Sequence, residues 1–188
     1  MGETPQEEKS DHSTILDSVE EDISRLSEIS ERFSKIGSKP KLNSLSLNEL
    51  ISEVSAYMNS RLPQNSRINI THAGDKNMKI KGDWVLLRWA VENLVKNAID
   101  AVGTGNGKIS VIISKSNNGV QLDIRDTGKG INRSDWKNIF RPGYSSKQRG
   151  WGLGLSLTQR IVEEIHGGSI RVLSSKPGET IFRLNFPK

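Results

Sequence analysis

The chain has no cysteine among its 188 residues. Disulfides and thiolate-held metals are excluded, and the redox compartment goes unread. No apolar run nears the ~18 residues of a membrane span, and the start carries no signal-peptide pattern. Membrane contact is therefore not expected within these residues. Lysine and arginine give a net charge of +5, yet never form a run of five. That leaves no nucleic-acid footprint, although a small polyanion would suit the same charge. Internal repeats and low-complexity tracts are absent. So are two familiar phosphate signatures. The loop G-x-x-x-x-G-K followed by Ser or Thr does not occur, and Gly150, Gly152 and Gly154 are spaced G-x-G-x-G rather than G-x-G-x-x-G. What is present, 34% hydrophobic and 26% charged, is the composition of about one globular domain with an appendage.

Residues 1–10 are polar and charged, and disorder is expected there. An amphipathic helix is predicted over residues 11–36. Its seam of Leu16, Val19, Ile23, Leu26 and Phe33 is of coiled-coil or bundle type and needs a partner. Gly37 and Pro40 end it. A domain from 41 to 188 follows. The sequence predicts a short strand near 42–47 and a helix opened by Ser46 and Glu49 as a capping box. Strands are predicted at 67–71 and 78–81, then a long helix capped by Asp83 and ending near Gly103. A hairpin of strands at 108–114 and 120–126 comes next, turning at Asn117-Asn118-Gly119. Residues 132–148 show weak pattern apart from Trp136, Ile139 and Phe140, and residues 132–149 are expected to form a mobile lid. A helix over 153–166 and strands at 169–174 and 180–186 close the chain.

Three features carry chemistry. The long helix buries Leu87, Val91, Leu94, Val95, Ala98 and Val102, and beside them runs a polar row of Asn93, Asn97 and Asp100. Two carboxamides one turn apart suggest a task, or else a solvated face. In the strand ending at 126, Val120, Leu122 and Ile124 share one face, and period two adds Asp126 to it. A carboxylate there is at least partly buried and needs donors. Gly128 and Gly130 follow at once. Finally, the second glycine cluster runs into a helix, a natural anion site. Either glycine cluster alone reads as a turn; the combination is more specific.

In that order and spacing, the residues resemble the ATP-binding domain of sensor histidine kinases, in the gyrase, heat-shock-90, histidine kinase and MutL superfamily. Residues 92–101 resemble the N box, 126–130 the G1 box, 139–144 the F box and 150–155 the G2 box. The resemblance implies an α+β, two-layer α/β sandwich of Bergerat type, with about five strands and three helices on one face. It implies Mg²⁺ and ATP as ligands. Asp126 would accept from the adenine amino group, with Thr180 assisting through water. Asn97 would ligate Mg²⁺, a metal that takes few protein ligands beside phosphate oxygens. Asn93 would face the phosphates or the metal shell. Gly128, Gly130, Ile131, Phe140, Gly150, Gly152, Leu153 and Gly154 would complete the nucleotide site. Lys147 is a candidate for γ-phosphate neutralisation, or a solvated loop lysine.

The resemblance also implies histidine phosphorylation in two-component signalling, in the cytoplasm, with a parent that can be membrane-anchored. Partners would be the acceptor-histidine helix of the parent kinase, a response regulator downstream and a second copy through residues 11–36. ATPase branches of the superfamily place a Glu four residues before the metal-binding Asn; this chain has Asn93, which cannot abstract a proton. Phosphoryl transfer to an external acceptor is therefore favoured over hydrolysis. His12, His72 and His166 are the only histidines, and none stands in an acceptor motif. Residues 11–37 resemble the second helix of the dimerisation and phosphotransfer hairpin, and the first is expected to be missing, which makes the chain a fragment. Trp151 departs from the small or polar residue usual in the G2 box and reads as a lid packing residue. Two rivals stay open: a dimerisation module without phosphotransfer, and an ATP-hydrolysing clamp.

Overall fold

The computed structural model describes Ile23, Ser27, residues 40–145, Lys147 and residues 151–187. The chain divides into two units, residues 1–40 and 41–188. Of the predicted helix over 11–36, only Ile23 and Ser27 are described, and both are helical. The remainder of that expectation, and the expected disorder over 1–10, fall outside the described residues.

The second unit is a two-layer sandwich. Strand β1 (Asn43–Ser46) pairs antiparallel with β3 (Lys79–Gly82), Leu45 lying opposite Ile80. Between them come helix α1 (Leu47–Ser60) and β2 (Ile68–Gly74). The Ser46 hydroxyl accepts from the Glu49 N–H at 3.3 Å, half of the expected capping box. Helix α2 (Trp84–Val102) follows, then β4 (Gly107–Ser116), β5 (Gly119–Asp126), α3 (Gly154–Arg160), β6 (Ser169–Lys176) and β7 (Glu179–Pro187). Five strands form the main sheet in the order β2-β4-β5-β7-β6. Only β2 and β4 run parallel. A parallel pair needs a crossover, and the segment between them carries α2. That crossover lays α2 along β4 and β5.

The core follows from periodicity. Leu86, Leu87, Ala90, Val91, Leu94, Val95 and Ala98 line the buried side of α2. They meet Ile109, Val111 and Ile113 of β4, Leu122 and Ile124 of β5, and Phe182, Leu184 and Phe186 of β7, all buried. Asp83 caps α2 through Oδ1, which accepts from the Val85 and Leu86 N–H groups at 3.0 and 3.1 Å. The opposite face of the sheet is polar but not open. Asp123 of β5 is 3% exposed. Its two oxygens accept from Arg183 Nε and Nη2 at 2.8 Å each, and Arg125 stands 3.6 Å away.

Some local expectations need correction. His72 lies inside β2, not after it. Pairing with β4 extends that strand to Gly74, past its apolar alternation. The segment after β5, for which no element is expected, holds 3-10 turns at Arg133–Asp135 and Asn138–Phe140. The final helix is α-helical only to Arg160 and then widens into a π-turn, Ile161–Ile165. His166 explains the widening. It is buried, and both its backbone N–H (3.2 Å) and its Nδ1 (2.6 Å) reach the Ile161 carbonyl. Its Nε2 accepts from the Asp83 N–H at 3.0 Å, so the proton sits on Nδ1. This one ring ties the end of the last helix to the start of α2. Burial lowers its pKa below the ordinary value.

Candidate nucleotide site

Asp126 ends β5 on the helix-covered face and is 4% exposed. Its Oδ1 accepts from the Gly128 N–H at 2.8 Å. No other partner is present among the described residues. Burial raises its pKa, and the Gly128 bond opposes that only in part. A carboxylate left half-satisfied in a buried place is suited to accept from a ligand. Thr180 of β7 lies directly opposite in register, also buried. Its hydroxyl pairs with Ser175 Oγ at 2.9 Å, and Ser175 Oγ accepts from the Ile131 N–H at 2.8 Å. Thus Ile131 lends its backbone to fixing the turn.

The turn after Asp126 is wedged between two backbones. A Cβ on Gly128 would lie 2.6 Å from the Ala101 carbonyl carbon at the end of α2. Gly130 has φ +83°, and a Cβ there would lie 2.7 Å from the Lys176 carbonyl carbon. The Lys129 N–H donates to the Ala101 carbonyl at 3.0 Å and the Gly178 N–H to the Gly128 carbonyl at 2.8 Å. The glycines therefore let the turn lock α2 to the β6–β7 hairpin beside Asp126.

Along α2 the polar row divides its work. Asn93 donates from Nδ2 to Thr158 Oγ1 at 2.9 Å, and Thr158 donates to the Gly154 carbonyl at 2.9 Å. A Cβ on Gly154 would stand 2.3 Å from Asn93 Oδ1. So Asn93 is joined to the glycine turn that opens α3. Asn97 Oδ1 accepts from Lys147 Nζ at 2.9 Å, and Lys147 also pairs with Asp100. Lys147, drawn from a loop 50 residues on, thus reaches the metal-ligand candidate. Leu153 precedes α3, and no side chain caps that helix start. Gly152 (φ +64°) would press a Cβ within 2.4 Å of the Gly143 carbonyl carbon, and the Gly143 N–H donates to the Gly152 carbonyl at 3.1 Å. Gly150 lies outside the described residues.

Phe140 meets Phe182, two residues along β7 from Thr180, edge-on at 6.4 Å, and lines a cavity whose walls include none of Asn93, Asn97, Asp126 or Thr180. Trp151 is 59% exposed rather than packed. Two contributing residues escaped the sequence reading. Thr158 was legible as a threonine four residues after Gly154, the spacing for a bond back to that carbonyl. Ser175 gave no signal, because only the β6–β7 register brings it to Thr180.

The family described as histidine kinase-, DNA gyrase B-, and HSP90-like ATPase matches residues 82–188. The chain belongs to this family. Sporulation kinase A of Bacillus subtilis is 34% identical over 154 residues, which are 80% of this chain and 25% of that protein. Sensor histidine kinase ZraS of Escherichia coli is 39% identical over 150 residues, 78% of this chain and 31% of that protein. The catalytic domain of histidine kinase ThkA superposes with a TM-score of 0.71 at 29% identity, covering 78% of this chain and 95% of that one. ThkA in complex with the response regulator TrrA gives 0.76 at 25% identity, covering all of this chain and 53% of that one. The chain thus spans about a quarter to a third of the curated kinases it matches. The matched region is a histidine kinase catalytic ATP-binding domain. Among the described residues no helix is long and apolar enough to cross a membrane.

Proposed function

We propose that this domain binds ATP with Mg²⁺ and donates the γ-phosphoryl group to a histidine outside His12, His72 and His166. The half-satisfied, buried Asp126 opposite Thr180 carries the reading. Adenine offers an amino donor to the free carboxylate oxygen, and Thr180 helps hold the edge of the base through water. Asn97 presents a neutral amide oxygen on the same helix row and fits a cation whose other ligands are phosphate oxygens and waters. Bound there, Mg²⁺ supplies charge neutralisation and orientation of the phosphates. Lys147 lies beside Asn97 and is placed to follow the γ-phosphate. Asn93, through Thr158 and Gly154, holds the glycine turn against α2. Phosphoryl transfer asks for little more than such positioning.

Two observations favour an external acceptor over water. Asn93 is an amide engaged with Thr158. The neighbouring carboxylate, Glu92, is held by Arg88 Nε at 2.7 Å, and Arg88 also binds Glu53 at 3.0 Å. Neither side chain is free to act as a base. His166 is no acceptor, being buried with both nitrogens engaged. A neutral imidazole on a separate helix is already nucleophilic. The domain would therefore work on an acceptor helix of its parent kinase, dimerised through residues 11–36, and feed a response regulator.

The test is incubation with γ-labelled ATP and Mg²⁺, with and without a separately supplied helix bearing the acceptor histidine. Label should appear on the supplied helix, acid-labile and alkali-stable, and not on this chain alone. Acid-labile label on this chain alone, abolished in His12→Ala, would instead make His12 the acceptor. Steady release of inorganic phosphate without any acceptor would support the hydrolytic clamp.

A further inference from the structure

A concavity lined by none of Asn93, Asn97, Asp126 or Thr180 lies where the two 3-10 turns meet the free edge of the sheet. Its volume is about 640 Å³, within the range of small-molecule sites. Half-buried Trp136 and Phe140 form an aromatic wall, and Ile170 and Val172 of β6, the last strand of the sheet, close the base.

The charges around it are all of one sign. Arg133, Lys137, Arg141 and Arg171 line the cavity, and no acidic residue does. None of the four is paired with a carboxylate among the described residues. The nearby acids are otherwise engaged: Asp135 Oδ1 accepts from the Ser134 hydroxyl at 3.4 Å, and Glu163 accepts from the Ile170 N–H at 3.3 Å. Arg133 lies over Trp136, its guanidinium carbon 3.9 Å from the ring centre. That stacking holds one cation at the wall while its N–H groups stay available. Elsewhere in this domain several arginines are matched: Arg183 and Arg125 by Asp123, Arg88 by Glu53 and Glu92, Arg160 by Glu164. Here four unmatched cations converge on one aromatic recess.

From this arrangement we infer that the cavity is a binding site for a small organic anion with a flat apolar body. The body stacks on Trp136 and Phe140, and a carboxylate, sulfonate or phosphate group meets Arg133 and Arg171. The site is also wired to the nucleotide turn. Trp136 donates from Nε1 to the Ile131 carbonyl at 3.1 Å. The Ile131 N–H goes on to Ser175, and Ser175 to Thr180, which faces Asp126 across the β5–β7 ladder. An occupant that shifts Trp136 therefore shifts Ile131 and the wall of the adenine position. The ligand acts as a modulator of nucleotide affinity without sharing its site.

The probe is anilinonaphthalene sulfonate, an anion of this class, titrated by fluorescence into the intact chain at low salt. Expected is saturable binding of one equivalent, weakened about tenfold in Arg133→Glu/Arg171→Glu through loss of attraction and gain of repulsion. Lys137→Glu/Arg141→Glu, both exposed, serves as a second variant should the first not fold. Asp126→Asn should leave probe affinity unchanged, which separates this site from the nucleotide assignment. Added Mg-ADP should change the affinity up to a limit reached at nucleotide saturation. Binding that is equal in both charge-reversed variants overturns the inference. So does weakening that keeps growing with Mg-ADP concentration, since that places the probe in the nucleotide cleft. Binding of a polyglutamate peptide with no binding of the sulfonate would assign the surface to a protein partner and also overturn it.

Discussion

Strand β5 carries two buried aspartates three residues apart, and they are treated in opposite ways. Asp123, on the outer face, receives both arms of Arg183 with Arg125 beside it. Asp126, on the inner face, receives one backbone N–H. Each is less than 5% exposed. The first is a finished interaction that holds β5 to β7. The second is unfinished, and its raised pKa records the cost of keeping it so. Burial alone does not mark a functional carboxylate. Burial with a spare acceptor does.

The largest expected effect breaks the finished pair. Asp123→Ala leaves Arg183 without its partner and should cost about 3 kcal/mol of unfolding free energy. Nucleotide affinity should stay within about twofold, as for sites that share no partners. Denaturant titration and calorimetry together check this; a stability loss accompanied by an equal affinity loss would erase the distinction between the two aspartates.

Asp126→Asn should do the reverse. It presents a donor to the adenine amino group, and a mismatched buried pair costs about 1–3 kcal/mol, or roughly tenfold to hundredfold in affinity. The ligand-free variant should melt higher than the parent at neutral pH. The sign follows from the raised folded pKa. Stability linked to Asp126 is full below its unfolded pKa and is lost as pH rises through the folded one. Asn cannot ionise and escapes that loss. Unchanged binding by calorimetry would remove the adenine assignment.

Thr180→Val tests the relay behind Asp126. It deletes the hydroxyl that pairs with Ser175, and a lost hydrogen bond of about 1 kcal/mol should weaken nucleotide about fivefold. An affinity equal to that of the parent would show that Thr180 serves packing alone.

The smallest effect concerns His166. Its pKa is lowered by burial, so its contribution to stability is present above the unfolded value of about 6.5 and fades as pH falls through the folded one. Melting temperatures from neutral to mildly acid pH should therefore fall more steeply in the parent than in His166→Gln. Parallel curves would mean that the ring is not titrating in that window.

Much of this was legible from residue order. Period two put Asp126 inside, and the α2 apolar stripe set its polar row beside the core. Asp83 and Ser46 announced their helix starts. What local pattern could not show was who would meet across the sheet. Ser175 reaches Thr180 only through the β6–β7 register. The partners of Gly128 and Gly130 are backbone atoms of Ala101 and Lys176, distant in sequence. The tie between His166 and the Asp83 N–H spans 83 residues. The edge-on contact of Phe140 with Phe182 joins a turn to a strand more than 40 residues away in sequence.

The ammonium of Lys147 rests on the Asn97 oxygen assigned to the metal and on Asp100. Seating a divalent ion there is thus a swap of one cation for another, not the filling of an empty seat. Mg²⁺ by itself has little to gain, since it must evict a positive charge already neutralised by a carboxylate. A triphosphate changes the balance by giving Lys147 somewhere else to go. Metal and nucleotide should therefore arrive as one complex, and free Mg²⁺ in excess should not load the domain ahead of ATP.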